Sequence, residues 1–493
     1  MVVSLLLALP AAVGLWLVSG GRALPVRPAR VLAAGTAVAT LGLAVAVVVT
    51  GAAVDRPWLP ELGVRWSFGV DGVSTPLLLL TAVMGVVVAA HAWVEVPSGG
   101  TPATFLGCLL LVEAGALATF SARDAVLFFV AFEVVLVPMW VLVGRYGDPH
   151  DPRGRTDAAQ RFILYTAVGS TTMLVGILLL VASAGTADLR ALAGGAGAAL
   201  GPGTQLAVAL LLVVGLAVKV PVFPLHTWLP PAHTTAPTAG SVLLAAVLLK
   251  MGTYGLVRLP VATVPGGFSR LAPVLAVAGV VGILWGGLVC LVERDLKRLV
   301  AYSSVAHMGF VVLALASGSH TGLQAALYAN IAHGVVSALL FVLVGGLKQR
   351  WGDVDLAVRR PALRETSPRL GFVLVLGLAA SLGLPGLAGF WGELLAVYSA
   401  WAPAAGRPGP VFVTCAVLAA VGAALAAAYA LRVAGLVWVG DRPDPEAART
   451  PDAVGVERWV LGGLAALVVV LGVAPMLLLS VTSDAALALV GTR

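Results

Sequence analysis

The sequence predicts an all-α integral membrane protein of about fourteen transmembrane helices. Three observations carry that expectation. Of 493 residues, 60% are hydrophobic and only 11% charged, whereas a soluble domain carries about 25% charged residues. The apolar residues fall in runs long enough to cross a bilayer, for which about 20 residues suffice. Glu133, Lys219, Lys250 and Glu393 stand inside such runs, where a central charge costs roughly 2.5–3.5 kcal/mol on insertion scales. Four of them point to a path for protons or ions.

Runs bounded by charge, Pro and Gly place the spans at about 1–19, 31–53, 73–94, 103–120, 124–143, 161–183, 205–223, 239–257, 271–292, 297–316, 321–347, 371–400, 411–437 and 457–481. The first run has no basic residues before it and Arg22 after it, so it reads as a retained span rather than a signal peptide. The longest polar stretches, 145–161, 348–369 and 440–458, read as surface loops, and no linker announces a second soluble domain. The spans group as three N-terminal helices (1–95), a first five-helix block (103–258), a second (271–437) and a C-terminal helix (457–481).

Loop charge sets the expected orientation. Loops after odd-numbered spans hold Arg22, Arg27, Arg30, Arg145, Arg153, Arg155, Arg161, Arg294, Lys297, Arg298, Lys348, Arg350, Arg359, Arg360, Arg364, Arg369, Arg442, Arg449 and Arg458, 19 basic residues in all. Loops after even-numbered spans hold 7: Arg56, Arg65, Arg123, Arg190, Arg258, Arg270 and Arg407. The odd loops are therefore expected in the cytoplasm and both termini outside. This asymmetry also accounts for the net charge of +7. With no basic face interleaved with aromatics, nucleic acid is not an expected partner.

Cys108, Cys290 and Cys415 are far apart in apolar runs. No Cys or Cys/His spacing fits an iron–sulfur cluster or structural zinc, and inert packing is expected for each. No dinucleotide fingerprint is present.

Each block carries a break in its fourth span. Pro221 and Pro224 follow Lys219 in the first, and Gly383, Pro385, Gly386 and Gly389 precede Glu393 in the second. A block of five spans inverts the next copy, and inverted repeats with matching broken helices place a transport site near the midplane. Read blandly, each break is a simple kink. A proline supplies no backbone N–H, so carbonyls freed at the breaks need water or side chains.

Glu133, in "LFFVAFEVVLVPMW", and Lys219, in "GLAVKVPVFPLHTW", are readable as a structural ion pair locking two helices. They also have the chemistry of a switch: burial favours neutral lysine, a nearby carboxylate favours the charged form, and opening or closing the pair changes proton affinity. Lys250 lies in "LLAAVLLKMGTYGL". His307 follows Ser303 and Ser304 by one turn, and His333 has Asn330 three residues before and Ser337 four after. Two histidines on polar stripes of adjacent spans suit a hydrated relay, since histidine exchanges protons near neutral pH. Glu113, midway along the fourth span, fits either a helix-packing hydrogen bond or the proton path. Asp71 is expected to cap the third span, residues 293–298 to form an ordinary turn, and His226 and His233 not to bind metal.

The block from Lys219 to Arg258, "KVPVFPLHTWLPPAHTTAPTAGSVLLAAVLLKMGTYGLVR", resembles the central signature of the antiporter-like subunits of respiratory complex I and of multi-subunit sodium/proton antiporters. "DLKRLVAYSSVAHMGF", "ANIAHGVVSALLF", "FFVAFEVVLVPMW" and "LGLPGLAGFWGELL" add to the likeness, which runs from about 66 to 437. The resemblance implies two inverted five-helix repeats with broken helices 7 and 12. It implies that Glu133 and Lys219 are the ion pair, Lys250 the central lysine, His307 and His333 the link between halves, and Glu393 the terminal group of helix 12. Most relatives have lysine there, and glutamate resembles one branch of the complex I subunits. Expected partners are then other membrane subunits, related antiporter-like chains among them, in a bacterial cytoplasmic membrane, with flavin, iron–sulfur clusters and quinone held by partner subunits. The alternatives are a sodium/proton antiporter or membrane hydrogenase subunit, and a scaffold that transports nothing; a scaffold needs none of the buried charges.

Overall fold

The computed structural model describes residues 1–441 and 451–490. Thirteen helices among them are long and apolar enough to cross a membrane, and two shorter pieces together make a fourteenth. In chain order they are α1 (Val2–Ser19), α2 (Val26–Thr50), α3 (Ser74–His91), α4 (Pro102–Ser121), α5 (Ala125–Tyr146), α6 (Pro152–Ala184), α7a (Pro202–Lys219) with its continuation α7b (Leu229–Thr235), α8 (Thr238–Val261), α9 (Pro265–Val292), α10 (Leu296–Ser317), α11 (His320–Trp351), α12a (Pro368–Ser381) with α12b (Ala388–Trp401), α13 (Gly409–Val439) and α14a (Gly455–Val473) with α14b (Met476–Val490).

Most boundaries carry a readable cause. Asp124 Oδ1 accepts from the amides of Val126 (2.9 Å) and Leu127 (3.0 Å) to start α5, and Asp295 Oδ1 accepts from Arg298 N (2.7 Å) to start α10, as N-caps do. Asp71 Oδ1 accepts from the amides of Val73 (3.0 Å) and Ser74 (3.1 Å) and starts α3, as expected. Facing glycines let helices approach closely: Gly169 meets Gly215 between α6 and α7a, and Gly279 meets Gly309 between α9 and α10.

Three features differ from the sequence reading. The stretch 145–161 is only partly loop, because Asp151 caps a helix beginning at Pro152. Residues 54–68 form an antiparallel hairpin, β1 (Val54–Leu59) and β2 (Val64–Phe68). The final span continues beyond 481 as α14b after Pro475.

Loop contacts sort into two ends. At one, Lys348 pairs with Asp148, Lys297 Nζ donates to Ala236 O (2.5 Å), Arg350 pairs with Glu457 (2.6 Å) and Arg432 donates to Glu293 O (2.9 Å). All of these groups except Arg432 lie in or beside loops that follow odd-numbered spans. At the other end Arg65 and Arg190 both pair with Asp55 (2.8 and 3.2 Å), Arg258 pairs with Asp71, and Arg407 donates to Ala316 O (2.9 Å). Odd and even loops thus gather at opposite ends of the bundle. Arg442 and Arg449 lie outside the described residues.

Candidate functional site: a buried polar chain between the two broken helices

Both predicted breaks are present. Helix α7a ends at Lys219, and the chain turns through Pro221 and Pro224 before α7b. The freed carbonyl of Val218 accepts from Trp228 Nε1 at 2.9 Å. Helix α12a ends at Ser381 and α12b begins at Ala388, with Gly383 and Gly386 in the left-handed region (φ 73° and 89°) around Pro385. Here the carbonyl of Ser381 faces His307 Nε2 at 2.8 Å.

Lys250 is fully buried (0% exposed) near the middle of α8. Two wide five-residue turns, Leu244–Leu248 and Val257–Val261, flank it; such π-bulges occur frequently at functional sites. Lys250 Nζ donates to Ala245 O at 2.8 Å and contacts His333 Nδ1 at 2.5 Å. An ammonium donating to Nδ1 makes His333 the neutral Nε2–H tautomer. The His333 and His307 ring centres are 5.4 Å apart. His307 Nδ1 faces Ser303 O (2.7 Å) while Nε2 faces Ser381 O (2.8 Å) and lies 3.4 Å from Glu393 Oε1. Both nitrogens meet backbone oxygens, so a neutral ring donates to one of them and an imidazolium to both. A cavity of about 20 Å³ among His307, His333, Ser381 and Glu393 exceeds the roughly 10–15 Å³ that one water needs. Lys250, His333, His307 and Glu393 therefore form one buried row, in which no hydrogen bond joins His333 to His307 among the described residues and His333 Nε2 is left without a partner.

The flanking polar residues act differently from their sequence reading. The hydroxyls of Ser303 and Ser304 donate to Val300 O (2.8 and 3.2 Å), and Ser337 Oγ donates to His333 O (2.5 Å). These are local side-chain-to-backbone bonds of the kind serine makes in helices, so it is backbone oxygens, not the hydroxyls, that meet the His307 ring. Asn330 Oδ1 accepts from Thr253 Oγ1 (2.9 Å) and ties α11 to α8 beside Lys250.

The first half is arranged otherwise. Lys219 is buried, with Nζ over the rings of Phe132 (5.0 Å) and Phe162 (5.8 Å). Glu133 is half-buried, within electrostatic reach of Lys219 and turned toward Ser170. No ion pair within 4 Å closes between Glu133 and Lys219 among the described residues. No polar contact joins Lys219 to Lys250 there either; Gly252 and Val220 fill the space beside the Lys219 stem. Glu113 is not brought to the chain. It is buried (1% exposed) against Gly85 of α3, beside a cavity of about 10 Å³ between α2, α3 and α4.

Three buried groups escaped the sequence reading. Lys297, expected in an ordinary turn, is buried (4% exposed) and lines a cavity of about 360 Å³ at the arginine-rich end, with Glu95, Asp148, Thr238 and Lys348. His233 is buried and stacked on Phe341, 4.5 Å between ring centres. Arg258 has only 17% of its side chain exposed. The only sequence signal for these was basic type beside an apolar run. No cluster of three or more metal-ligating side chains occurs among the described residues.

An all-helical bundle with two broken helices and a buried chain of lysine, histidine and carboxylate defines an antiporter-like membrane subunit. Residues 122–419 match the family described as NADH:quinone oxidoreductase/Mrp antiporter, TM, and the chain belongs to that family. Within it, the chain is 34% identical over 435 residues to NADH-quinone oxidoreductase subunit M of Rhodobacter capsulatus, covering 86% of this chain and 81% of that one. It is 36% identical over 428 residues to NAD(P)H-quinone oxidoreductase chain 4 3 of Trichormus variabilis, with 85% and 77% covered. Among solved structures, a chain of respiratory complex I from Thermus thermophilus superposes with a TM-score of 0.86 at 32% identity, over 99% of this chain and 100% of that one. A chain of the Mrp complex from Dietzia superposes equally well, TM-score 0.86, at 26% identity, over 100% of this chain and 52% of that one.

Proposed function

We propose that this chain is the proton-translocating, subunit-M-type membrane subunit of an NADH–quinone oxidoreductase. The observation that carries the proposal is the buried row Lys250–His333–His307–Glu393, ending in a carboxylate, with a cavity large enough for one water where the two histidines do not touch. Electrons pass from NADH to quinone in partner subunits, which hold the flavin, the iron–sulfur clusters and the quinone. Their energy reaches this chain as a displacement of charge near Glu133 and Lys219. A proton leaves Lys219 through intervening waters for Lys250, and the buried chain carries it to Glu393. Glu133, Lys219, Lys250, His307, His333 and Glu393 are the residues proposed to move it, with the breaks at Pro221, Pro224 and Pro385 admitting water. Glu113 stands apart and is read as a helix-packing group.

Residues 103–258 and 271–437 are read as two inverted repeats, preceded by three helices and followed by one. The protein is multi-pass. We place it in a bacterial cytoplasmic membrane with the arginine-rich loops inside and both termini outside; labelling of a cysteine placed among residues 350–365 by an impermeant thiol reagent on intact cells would reverse that orientation.

The test is purification of the tagged chain with its partners, other complex I membrane subunits among them. NADH:quinone activity is expected to co-purify. A complex that exchanges sodium for protons without oxidising NADH would assign the chain to an antiporter instead.

A further inference from the structure

We infer that Arg258 is a charged plug that closes the straight route from Lys250 to the arginine-poor end of the bundle, so that protons leave only sideways, through His333. This rests on the proposed path through Lys250.

Lys250, Tyr254 and Arg258 follow at intervals of four along α8 and its wide last turn, and so share one face. Exposure rises along that face, from Lys250 0% through Tyr254 2% to the Arg258 side chain 17%, which meets Asp71, ahead of α3, with 47% of its side chain exposed. Burial thus eases step by step from the central lysine toward the Arg258–Asp71 pair. Tyr254 bears a hydroxyl, held on Phe120 O at 3.0 Å, that water or a proton could use. Beyond it stands a guanidinium. The Arg258 Cζ lies 5.2 Å from the Tyr254 ring centre, and its Nη2 donates to Asp71 Oδ1. Arg123 adds a second guanidinium, donating to Val70 O at 3.1 Å over Gly69, where any Cβ would collide with it.

Two properties make arginine suited to this position. It does not release its proton at any physiological pH, so no relay passes through it. Its fixed charge in a partly buried site also repels an incoming hydronium, as arginine does in pores that exclude protons. The sideways route from Lys250 has neither obstacle: it begins with a histidine in direct contact. A pump needs this asymmetry, because a proton path open along both routes would return protons downhill. The competing explanation is mechanical: the Arg258–Asp71 pair ties the end of α8 to the start of α3 and seals by packing.

The test is passive proton flux, without NADH, in proteoliposomes of the assembled complex under a valinomycin–potassium potential, read by an internal pH dye. Arg258→Gln is expected to raise the flux about tenfold, the factor that corresponds to about 1.4 kcal/mol of barrier. Adding Lys250→Ala should return it to the unmodified level, because the leak runs through Lys250. Asp71→Asn, which keeps the guanidinium and breaks the pair, should stay tight; it decides between charge and packing even if Arg258→Gln fails to assemble. No rise in Arg258→Gln, a leak that survives Lys250→Ala, or an equal leak in Asp71→Asn would each overturn the plug. Normal NADH-driven pumping by Lys250→Ala alone would instead overturn the underlying path.

Discussion

Each broken helix frees a backbone carbonyl inside the membrane, and the two are satisfied by different kinds of ring. Val218 O in the first break accepts from the indole of Trp228 at 2.9 Å, while Ser381 O in the second accepts from the imidazole of His307 at 2.8 Å. An indole N–H is a permanent donor, whereas an imidazole N–H is exchangeable near neutral pH. The first break is therefore locked, and the second is held by a bond that depends on a proton. The contrast continues into the surroundings. Lys219 looks onto two phenylalanine rings, and Lys250 meets His333, with His307 and Glu393 lying beyond it. One half stores a charge beside apolar rings; the other lines up titratable groups that one water between the two histidines would connect. A displacement of charge in the first half needs to bridge the gap from Lys219 to Lys250 before the rest of the row can respond.

The largest effect is expected where the second half ends. Glu393→Gln should assemble and lower NADH-driven proton uptake in inverted vesicles by about a hundredfold, the scale on which a positioned proton-transfer group acts. Glu393→Lys should retain substantial uptake, because lysine also titrates at a hydrated exit. Normal uptake by Glu393→Gln would place the exit elsewhere and remove the contrast between the halves.

Glu133→Ala comes next. It leaves Lys219 buried without a carboxylate in reach, which favours its neutral form. Pumping and the coupled quinone reduction are expected to fall about tenfold, or about 1.4 kcal/mol, with assembly mostly kept and Glu133→Asp milder. Full pumping by the assembled Glu133→Ala complex would remove this carboxylate from the mechanism.

The smallest effect separates the two breaks. Trp228→Phe leaves Val218 O without its donor and should cost about 1–3 kcal/mol of stability, seen as a lower melting temperature of the complex. The pH profile of pumping should not move, since the lost donor never titrates. A shifted profile would show that the first break, too, takes part in proton transfer.

Much of this was legible in the sequence. Apolar runs gave the fourteen spans, and the proline and glycine clusters gave both breaks, because hydrophobic length and missing backbone donors act locally. Lys250, His307, His333 and Glu393 stand out in the sequence as ionisable groups within spans, and they lie in one row in space. What was not legible depends on rotamer and on distant partners. Serines three or four residues from a histidine read as a polar stripe, but their hydroxyls bond the backbone. Lys219 and Glu133 read as a pair able to open and close, and what the sequence does not show is that the lysine lies over Phe132 and Phe162 while Glu133 stays within electrostatic reach. Lys297 and Arg258 looked like loop charges because sequence distance from an apolar run says little about burial once neighbouring loops fold over it.

The central claim is that a proton, not merely a charge, passes through the middle of the chain. Lys250→Arg keeps a positive charge opposite His333 but gives up no proton. The measurement is proton uptake per NADH oxidised in inverted vesicles carrying the assembled variant. The account predicts that uptake collapses although the charge is preserved. Normal uptake would mean that Lys250 never deprotonates, and the buried chain from Lys250 to Glu393 would then not be the path.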